Sequence, residues 1–151
     1  MWKSFKAKAR GVRQLTFPEW LMLVEAWWVL LGFYLVLSRV SYERLNSATS
    51  KTANENARAS SDLDAAQRLS QLVGIAARLH LLPMTCLVKA FTLKWKLGRL
   101  GIPAELSIGA NKTSSRIHAH AWVEIMGQAI GESEANIGTF KVFKPSERSI
   151  P

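Results

Sequence analysis

The tripeptide Gly-Ile-Pro at residues 101–103 separates two parts of the chain that have different hydrophobic periods. Glycine just after a helix, followed by an apolar residue and proline, is a common helix-ending sequence. Apolar residues recur at helical spacing in 65–79 and 86–100, whereas short strand-like stretches follow the tripeptide. We therefore expect helices first and a small antiparallel sheet second, an α+β arrangement.

Three short strands are predicted after the tripeptide, over residues 104–109, 117–125 and 128–133. The polar sequence NKTSS at 111–115 is expected to form a loop between the first two strands. The second and third strands are close enough in sequence to form a hairpin.

The region before the tripeptide contains two earlier helices and a polar segment. An apolar helix is predicted over roughly residues 18–45, and the polar residues 46–62 indicate a solvated linker or mobile loop. Ser61 with Asp64 resembles a capping box for a second helix, which should end near His80. The chain is thus divided into a basic N-terminus with an apolar helix (1–45), a polar linker or loop (46–62) and a core (63–151).

The sequence LMLVEAWWVLLGFYLVL at residues 21–37 has two interpretations. Its length is at the lower limit for a bilayer-spanning helix, and the cations that precede it suit a cytoplasmic N-terminus. The short length and Glu25 favour a buried or interfacial helix instead, while the bulky residues disfavour a cleaved signal peptide. We favour the buried or interfacial helix and keep a membrane anchor as the alternative.

The formal net charge of +9 is unevenly distributed. Cations cluster before any acidic residue and again in the third helix: Lys3, Lys6, Lys8, Arg10 and Arg13, then Lys89, Lys94, Lys96 and Arg99. Such clusters attract nucleic acid, anionic lipid or an acidic peptide. Because no zinc-finger, helix-turn-helix or aromatic-basic motif accompanies them, we expect no nucleic-acid partner.

Cys86 is the single cysteine of the chain, so it cannot form an internal disulfide, and a reducing cytoplasm is the expected compartment. A helix predicted to start at residues 83–86 and to end at Leu100 places this thiol in its first turn. The partial positive charge of a helix N-terminus and a nearby imidazolium both stabilise a thiolate. Cys86 is therefore either a nucleophile or an inert core residue, and a base on the facing sheet would favour the first.

The strand IHAHAWVEI at residues 117–125 provides such a base. A three-residue loop ending at Gly127 would place His120 directly opposite Glu132, with their Cβ atoms about 4.5–5.5 Å apart. Cys86, His120 and Glu132 would then be the nucleophile, base and orienting carboxylate of cysteine acyl transfer. A two-residue loop would instead oppose His120 to a serine and turn Glu132 to the other face.

The same strand face carries His118, Trp122 and Glu124. We expect His118 to be an exposed edge residue and a weaker candidate for the base. Trp122 is expected to pack beside the site, and Glu124 to be solvated, with a role in orienting the histidine as its alternative. A zinc site from Cys86, His118 and His120 has little support, since their spacing is not that of the usual zinc ligands.

Two blocks of this sequence resemble a known family. TCLVKAFTLKWKLGRLGIPAELSIG at 85–109 and AHAWVEIMGQAIGE at 119–132 are similar to the transglutaminase-like cysteine peptidases of lasso-peptide biosynthesis, which process microcin-type precursors. The resemblance covers about residues 63–143, and FPEWLMLVEAWW looks like that family's N-terminal segment. It implies a transglutaminase-like or papain-like core, with N-terminal helices followed by a small antiparallel sheet.

The resemblance implies removal of the leader from a ribosomally made precursor peptide. By position it makes Cys86 the nucleophile, His120 the base and Glu132 the acid, where the family usually has aspartate. We expect no cofactor and no metal. Because the chain lacks the small winged-helix domain of fused members, it implies a separate leader-binding protein, as well as an ATP-dependent macrolactam cyclase that uses the freed amine.

Two other functions remain open from the sequence. A transglutaminase-like acyl transferase would use the same thiol and transfer the acyl group to an amine rather than to water. A non-catalytic, membrane-associated binding subunit would use the apolar segment 21–37 and the basic N-terminus, and Cys86 would only pack in the core.

Overall fold

The computed structural model describes residues 16–37, 39, 59–113 and 116–143. Its elements, in chain order, are α1 (Phe17–Leu37), α2 (Ala59–Leu79), α3 (Cys86–Arg99), β1 (Glu105–Thr113), β2 (Arg116–Ile125), β3 (Gln128–Ile130), α4 (Glu134–Ile137) and β4 (Lys141–Phe143). The four strands form one antiparallel sheet in the order β3-β2-β1-β4. The predicted α+β arrangement, helices first and sheet second, is confirmed.

The three long helices and the sheet pack around a shared apolar core. α1 packs against α2 and α3, and on their other side α3 packs against β2 while α2 reaches β3. The core includes a nearly inaccessible set contributed by helices and sheet, namely Leu30, Val73, Phe91, Leu97, Val123 and Ile125. α2 and α3 thus form a middle layer that separates α1 from the sheet.

The first two helices have ends that differ from the predicted ones. α1 ends at Leu37 rather than near residue 45, because Arg39 lies in a turn in which its N–H donates to the Val36 carbonyl oxygen (2.9 Å). α2 begins at Ala59, so Ser61 lies inside the helix and the predicted capping box is wrong. Residues 40–58, which include the end of the predicted apolar helix and most of the predicted polar linker, lie outside the described residues.

Both ends of α3 lie where they were predicted. At the start, the Thr85 hydroxyl accepts a hydrogen bond from the Val88 N–H (3.3 Å). At the end, the Ile102 N–H donates to Leu97 O (3.0 Å) while Gly101 adopts a φ of 75°, which glycine tolerates without strain. This is a Schellman cap, and the buried Ile102 anchors it in the core.

The strands differ from the predicted ones in length and number. β1 continues through Asn111 to Thr113, residues that were expected to form a loop. β3 is shorter than predicted and ends at Ile130, and neither α4 nor β4 was anticipated. Since β4 pairs with β1, the sheet has a fourth strand on the edge away from β3.

The register predicted for the β2–β3 hairpin is wrong. Ile125 pairs with Gln128 and Val123 with Ile130, so the loop contains two residues rather than three. Met126 and Gly127 both have positive φ, 51° and 79°, a combination typical of the tight turns that suit the twist of a hairpin. Met126 adopts this left-handed conformation although it carries a Cβ.

Candidate active site

A cavity of about 140 Å³ opens between α2, α3 and the end of the hairpin. Cys86 and Lys89 line it from α3, and His120 lines it from β2. Gly74 contributes from α2, and Glu132 from the segment that follows β3. The three residues predicted to form a catalytic group therefore line one cavity.

Cys86 is the first residue of α3 and is half-buried. Thr85 caps the helix just before it, which fixes the direction in which the first turn begins. The N–H groups of a first helical turn have no acceptor within the helix, and the helix dipole places partial positive charge there. The thiol thus lies where a negative charge would be stabilised.

His120 lies near the middle of β2 and its ring contacts Glu132. The distance from His120 Nε2 to Glu132 Oε1 is 3.1 Å, and the two side chains are 20% and 27% exposed. A carboxylate in its ionised form only accepts, so with that form Nε2–H is the donor in this contact. Nδ1 is then the ring nitrogen left to exchange a proton elsewhere.

Glu132 reaches His120 although the two residues are not paired across strands. β3 ends at Ile130, and Gly131 follows with a φ of 76°, so the alternation of side chains stops before Glu132. The Gly131 N–H donates to Gln67 Oε1 on α2 (3.1 Å), which holds this turn against the helix. The predicted contact is present, but it depends on Gly131 rather than on the hairpin loop.

Asn136 is a polar residue of this site that the sequence argument missed. Its Nδ2 donates to Glu132 Oε2 (3.2 Å), so the carboxylate is held on one side by the amide and on the other by His120. The Asn136 N–H in turn donates to Ser133 Oγ at the start of α4 (3.3 Å). Serine three residues before this position is an N-cap signal that could have indicated the short helix.

An aromatic wall supports the His120 ring. Trp122 lies nearly parallel to it at a centroid distance of 6.0 Å, and Phe140 lies at 5.4 Å. Gly109 pairs with His120 across β1 and β2, and a Cβ there would lie 2.8 Å from Phe140 Cβ and 2.9 Å from Trp122 Cη2. Glycine is therefore required for the close approach of both rings, and Trp122 is 2% exposed, as expected of a packing residue.

The remaining candidates lie apart from this arrangement. His118 is exposed at a position that pairs with Asn111, and it does not line the cavity. Glu124 accepts a hydrogen bond from Trp122 Nε1 (2.6 Å) and is half-buried, so the expectation of a solvated side chain is wrong. Among the described residues, no cluster of three or more His, Cys, Asp or Glu side chains is arranged to hold a metal ion.

A model of a known protein family matches most of the chain. The family model described as "Transglutaminase-like superfamily" matches residues 27–144, which include every residue that lines the cavity. The chain belongs to the transglutaminase-like superfamily. Neither a curated protein nor a solved structure matches the chain.

Members of the transglutaminase-like superfamily are usually cysteine-dependent enzymes, either peptidases or acyl transferases. The match identifies the superfamily and not a particular family within it. The catalytic roles of Cys86, His120 and Glu132 stay predictions for this transglutaminase-like domain. What the structure adds is that the three line one cavity and that His120 contacts Glu132.

Proposed function

We propose that this transglutaminase-like protein is a cysteine peptidase that removes the leader from a ribosomally synthesised lasso-type precursor peptide. The observation that supports it most strongly is the contact between His120 Nε2 and Glu132 Oε1 in the wall of the cavity that Cys86 lines. The resemblance of residues 85–109 and 119–132 to the lasso leader peptidases supplies the substrate class.

In the first chemical step, Cys86 Sγ attacks the carbonyl carbon of the scissile peptide bond, and His120 Nδ1 takes the thiol proton. The tetrahedral intermediate collapses, the C–N bond breaks, and the imidazolium gives its proton to the leaving amine. The released amine is the new N-terminus of the core peptide, and the leader remains attached to Cys86 as a thioester.

In the second step, water attacks the thioester carbonyl and His120 takes its proton. The C–S bond breaks, the imidazolium returns the proton to Cys86, and the leader leaves with a free carboxylate. Protein side chains alone carry these steps, so the proposed chemistry requires no cofactor.

Negative charge on the carbonyl oxygen is stabilised, in this proposal, by the start of α3. The Cys86 N–H belongs to the first helical turn, where backbone N–H groups have no acceptor within the helix. It lies on the same residue as the nucleophile, the usual location for one donor of an oxyanion hole.

Glu132 keeps the imidazole in the orientation that leaves Nδ1 free. A glutamate is one methylene longer than the usual aspartate, and the structure accommodates it because Asn136 Nδ2 holds the second carboxylate oxygen at 3.2 Å. Two directed hydrogen bonds restrict a flexible side chain to one position. Asn136 is thus proposed as a positioning residue that acts through Glu132.

The proposed partners are the precursor peptide, a separate protein that binds its leader, and an ATP-dependent macrolactam cyclase. The cyclase would use the amine that cleavage releases. The proposed compartment is the cytoplasm, where the single thiol of Cys86 stays reduced.

The direct test combines purified protein, precursor peptide and leader-binding protein, with products identified by mass spectrometry. Cleavage by the unaltered protein and its loss in Cys86→Ala and His120→Ala, both with native circular dichroism, is the expected result. Glu132→Ala should be slower and Glu132→Asp should retain more activity. Wild-type-like cleavage by Cys86→Ala would refute the proposal.

The mass of the products distinguishes hydrolysis from acyl transfer, the second activity known in the superfamily. Hydrolysis gives free leader and free core, whereas transfer to an added amine gives a leader with a new amide. Alkylation with iodoacetamide modifies one defined position, because Cys86 is the single cysteine. Full function after complete alkylation would indicate a non-catalytic subunit.

A further inference from the structure

α1 has apolar side chains on two opposite faces, and the domain covers one of them. Leu23, Ala26 and Leu30 are buried against α2 and α3. The other face is exposed along the whole helix, and its apolar residues recur at spacings of three, four and seven. We call this face the outer stripe; it consists of Phe17, Trp20, Leu21, Val24, Trp28 and Leu35. In soluble domains such a continuous exposed apolar stripe indicates an interaction surface.

Both acidic residues of α1 are paired with cations of the neighbouring helices. Glu19 accepts a hydrogen bond from Arg68 Nε of α2 (2.6 Å). Glu25 pairs with Lys96 Nζ (2.6 Å) and Arg99 Nη1 (3.0 Å) of α3. The outer stripe itself carries no charged side chain, so nothing in its composition opposes an apolar environment.

These ion pairs also restrict the orientation in which α1 can contact a membrane. By length and composition the helix could cross a bilayer or be a signal sequence. Crossing would separate Glu25 from Lys96, whose side chain is 6% exposed, and would strip the helix from α2 and α3. A helix held along its length by the domain can contact lipid only with its axis parallel to the surface.

The positive charge that precedes α1 favours lipid over a second copy of the chain as the partner of the outer stripe. Five cations and no acidic residue lie in residues 1–15, directly before the helix. Phosphate headgroups attract such a segment, at about 1 kcal/mol per Lys or Arg near an anionic surface. A dimer formed by parallel copies of the same helix would bring two of these cationic segments together, where they repel each other, whereas an anionic surface attracts the segment.

We propose that the outer stripe of α1 attaches the protein to an anionic membrane surface, with the helix parallel to the membrane and its apolar side chains at the depth of the headgroups. The exposed indoles of Trp20 and Trp28 suit this depth, because tryptophan is amphipathic and favours the interface. α1 does not line the cavity, which lies between the middle helix layer and the sheet. Attachment therefore leaves the cavity accessible to a peptide, and it does not depend on the proposed peptidase activity.

The test is sedimentation of the full chain with vesicles of phosphatidylcholine and phosphatidylglycerol, and with vesicles of phosphatidylcholine alone. We expect binding to the anionic vesicles that weakens as salt is added. The double variant Leu21→Gln/Trp28→Gln should bind at least about tenfold less, because two exposed apolar side chains are lost from the lipid contact. Met126→Gln, which changes an even more exposed apolar residue in the hairpin turn, should bind like the unaltered protein.

A second measurement uses the unaltered protein and needs no variant. Lipids brominated in the upper part of their acyl chains should quench tryptophan fluorescence when the protein binds. Binding without quenching would attribute attachment to charge alone and overturn the insertion of the outer stripe. Absence of vesicle binding would overturn the proposal as a whole.

Two further outcomes would assign α1 differently. If the protein stays with the membranes of producing cells after alkaline carbonate extraction, the helix spans the bilayer and the parallel orientation is wrong. If sedimentation equilibrium shows a stable dimer that Leu21→Gln/Trp28→Gln converts to monomer, a second copy covers the stripe and the lipid proposal is wrong.

Discussion

Gly131 connects the end of β3 to the carboxylate that holds His120, and its replacement by alanine tests that connection. Its φ of 76° is unfavourable for any residue with a Cβ, and an added Cβ would collide with Ser70 Oγ on α2. Gly131→Ala must therefore move either the turn or the serine. Movement of the turn displaces Glu132 from His120.

The expected cost has two parts. A left-handed alanine costs about 1–2 kcal/mol relative to glycine. Forcing Ser70 from its rotamer adds about 0.5–1.5 kcal/mol, so Gly131→Ala should lower the free energy of unfolding by about 1.5–3.5 kcal/mol in total. A hydrogen bond to a charged group contributes about 1.5–3 kcal/mol, so loss of the His120–Glu132 contact should lower kcat/KM about 10- to 100-fold.

Gly127 provides the matched control, because its φ of 79° is nearly the same and nothing lies within 4 Å of its added Cβ. Gly127→Ala should cost only the backbone part, about 1–2 kcal/mol, and should leave kcat/KM unchanged. Urea denaturation measures the first quantity, and mass spectrometry of precursor cleavage measures the second. Ser70→Ala added to Gly131→Ala should recover part of the lost stability.

The reactivity of the Cys86 thiol can also be measured without a substrate. Since Cys86 is the single cysteine, its alkylation rate near neutral pH reports how well the imidazole activates the thiol. Gly131→Ala should slow alkylation and Gly127→Ala should not. Equal stability losses in the two variants, together with unchanged cleavage and alkylation, would refute the structural reasoning.

Three more predictions concern the surroundings of the site. Gly109→Ala should destabilise the fold by about 1–3 kcal/mol in urea denaturation and slow cleavage, because its Cβ would lie 2.9 Å from the Trp122 ring. Glu25→Gln should destabilise by about 1–2 kcal/mol, since Lys96 is buried and loses its carboxylate; adding Lys96→Met should recover stability. Burial lowers the pKa of His80, so the unfolded chain binds the proton first and the melting temperature should fall as pH decreases below about 6.5; His80→Phe should reduce this dependence.

Each of these has an outcome that contradicts it. Gly32→Ala, an open position on α1, controls for the general effect of alanine, and a loss as large as that of Gly109→Ala would remove the steric argument. Glu25→Gln with unchanged stability would mean that the ion pair contributes nothing. An acid dependence that is identical in His80→Phe would assign that dependence to other groups.

The features that the sequence predicted well are encoded locally. The start and end of α3 depend on Thr85, Gly101 and Ile102, and each signal acts within a few residues of the helix end. Cys86 could therefore be assigned to a helix N-terminus from sequence alone. Its presence in the same cavity as His120 followed from packing the apolar stripe of α3 against the sheet.

The features that were predicted wrongly lack a strong local signal, and some of them depend on contacts distant in sequence. The hairpin register differs from the prediction because Met126 adopts a left-handed conformation beside Gly127, although this conformation costs a residue with a Cβ about 1–2 kcal/mol relative to glycine. Glu132 nevertheless reaches His120, because Gly131 turns against α2 and Gln67 holds it there. This turn ends β3 at Ile130 and places Glu132 within reach of the Asn136 amide. Neither feature has a strong signal in the sequence of the strand itself.

The candidate nucleophile lies in a helix and the candidate base lies in a later strand, so the ribosome makes them at different times. Cys86 belongs to the part that is made first, and it lies at the start of a helix whose signals are local. His120 and its carboxylate partner are made more than thirty residues later, and they join the lining of the cavity at Cys86 only when the hairpin packs on α3. A nascent chain that has folded its helices thus carries the thiol without the imidazole, and completion of the sheet is the event that brings the two groups together.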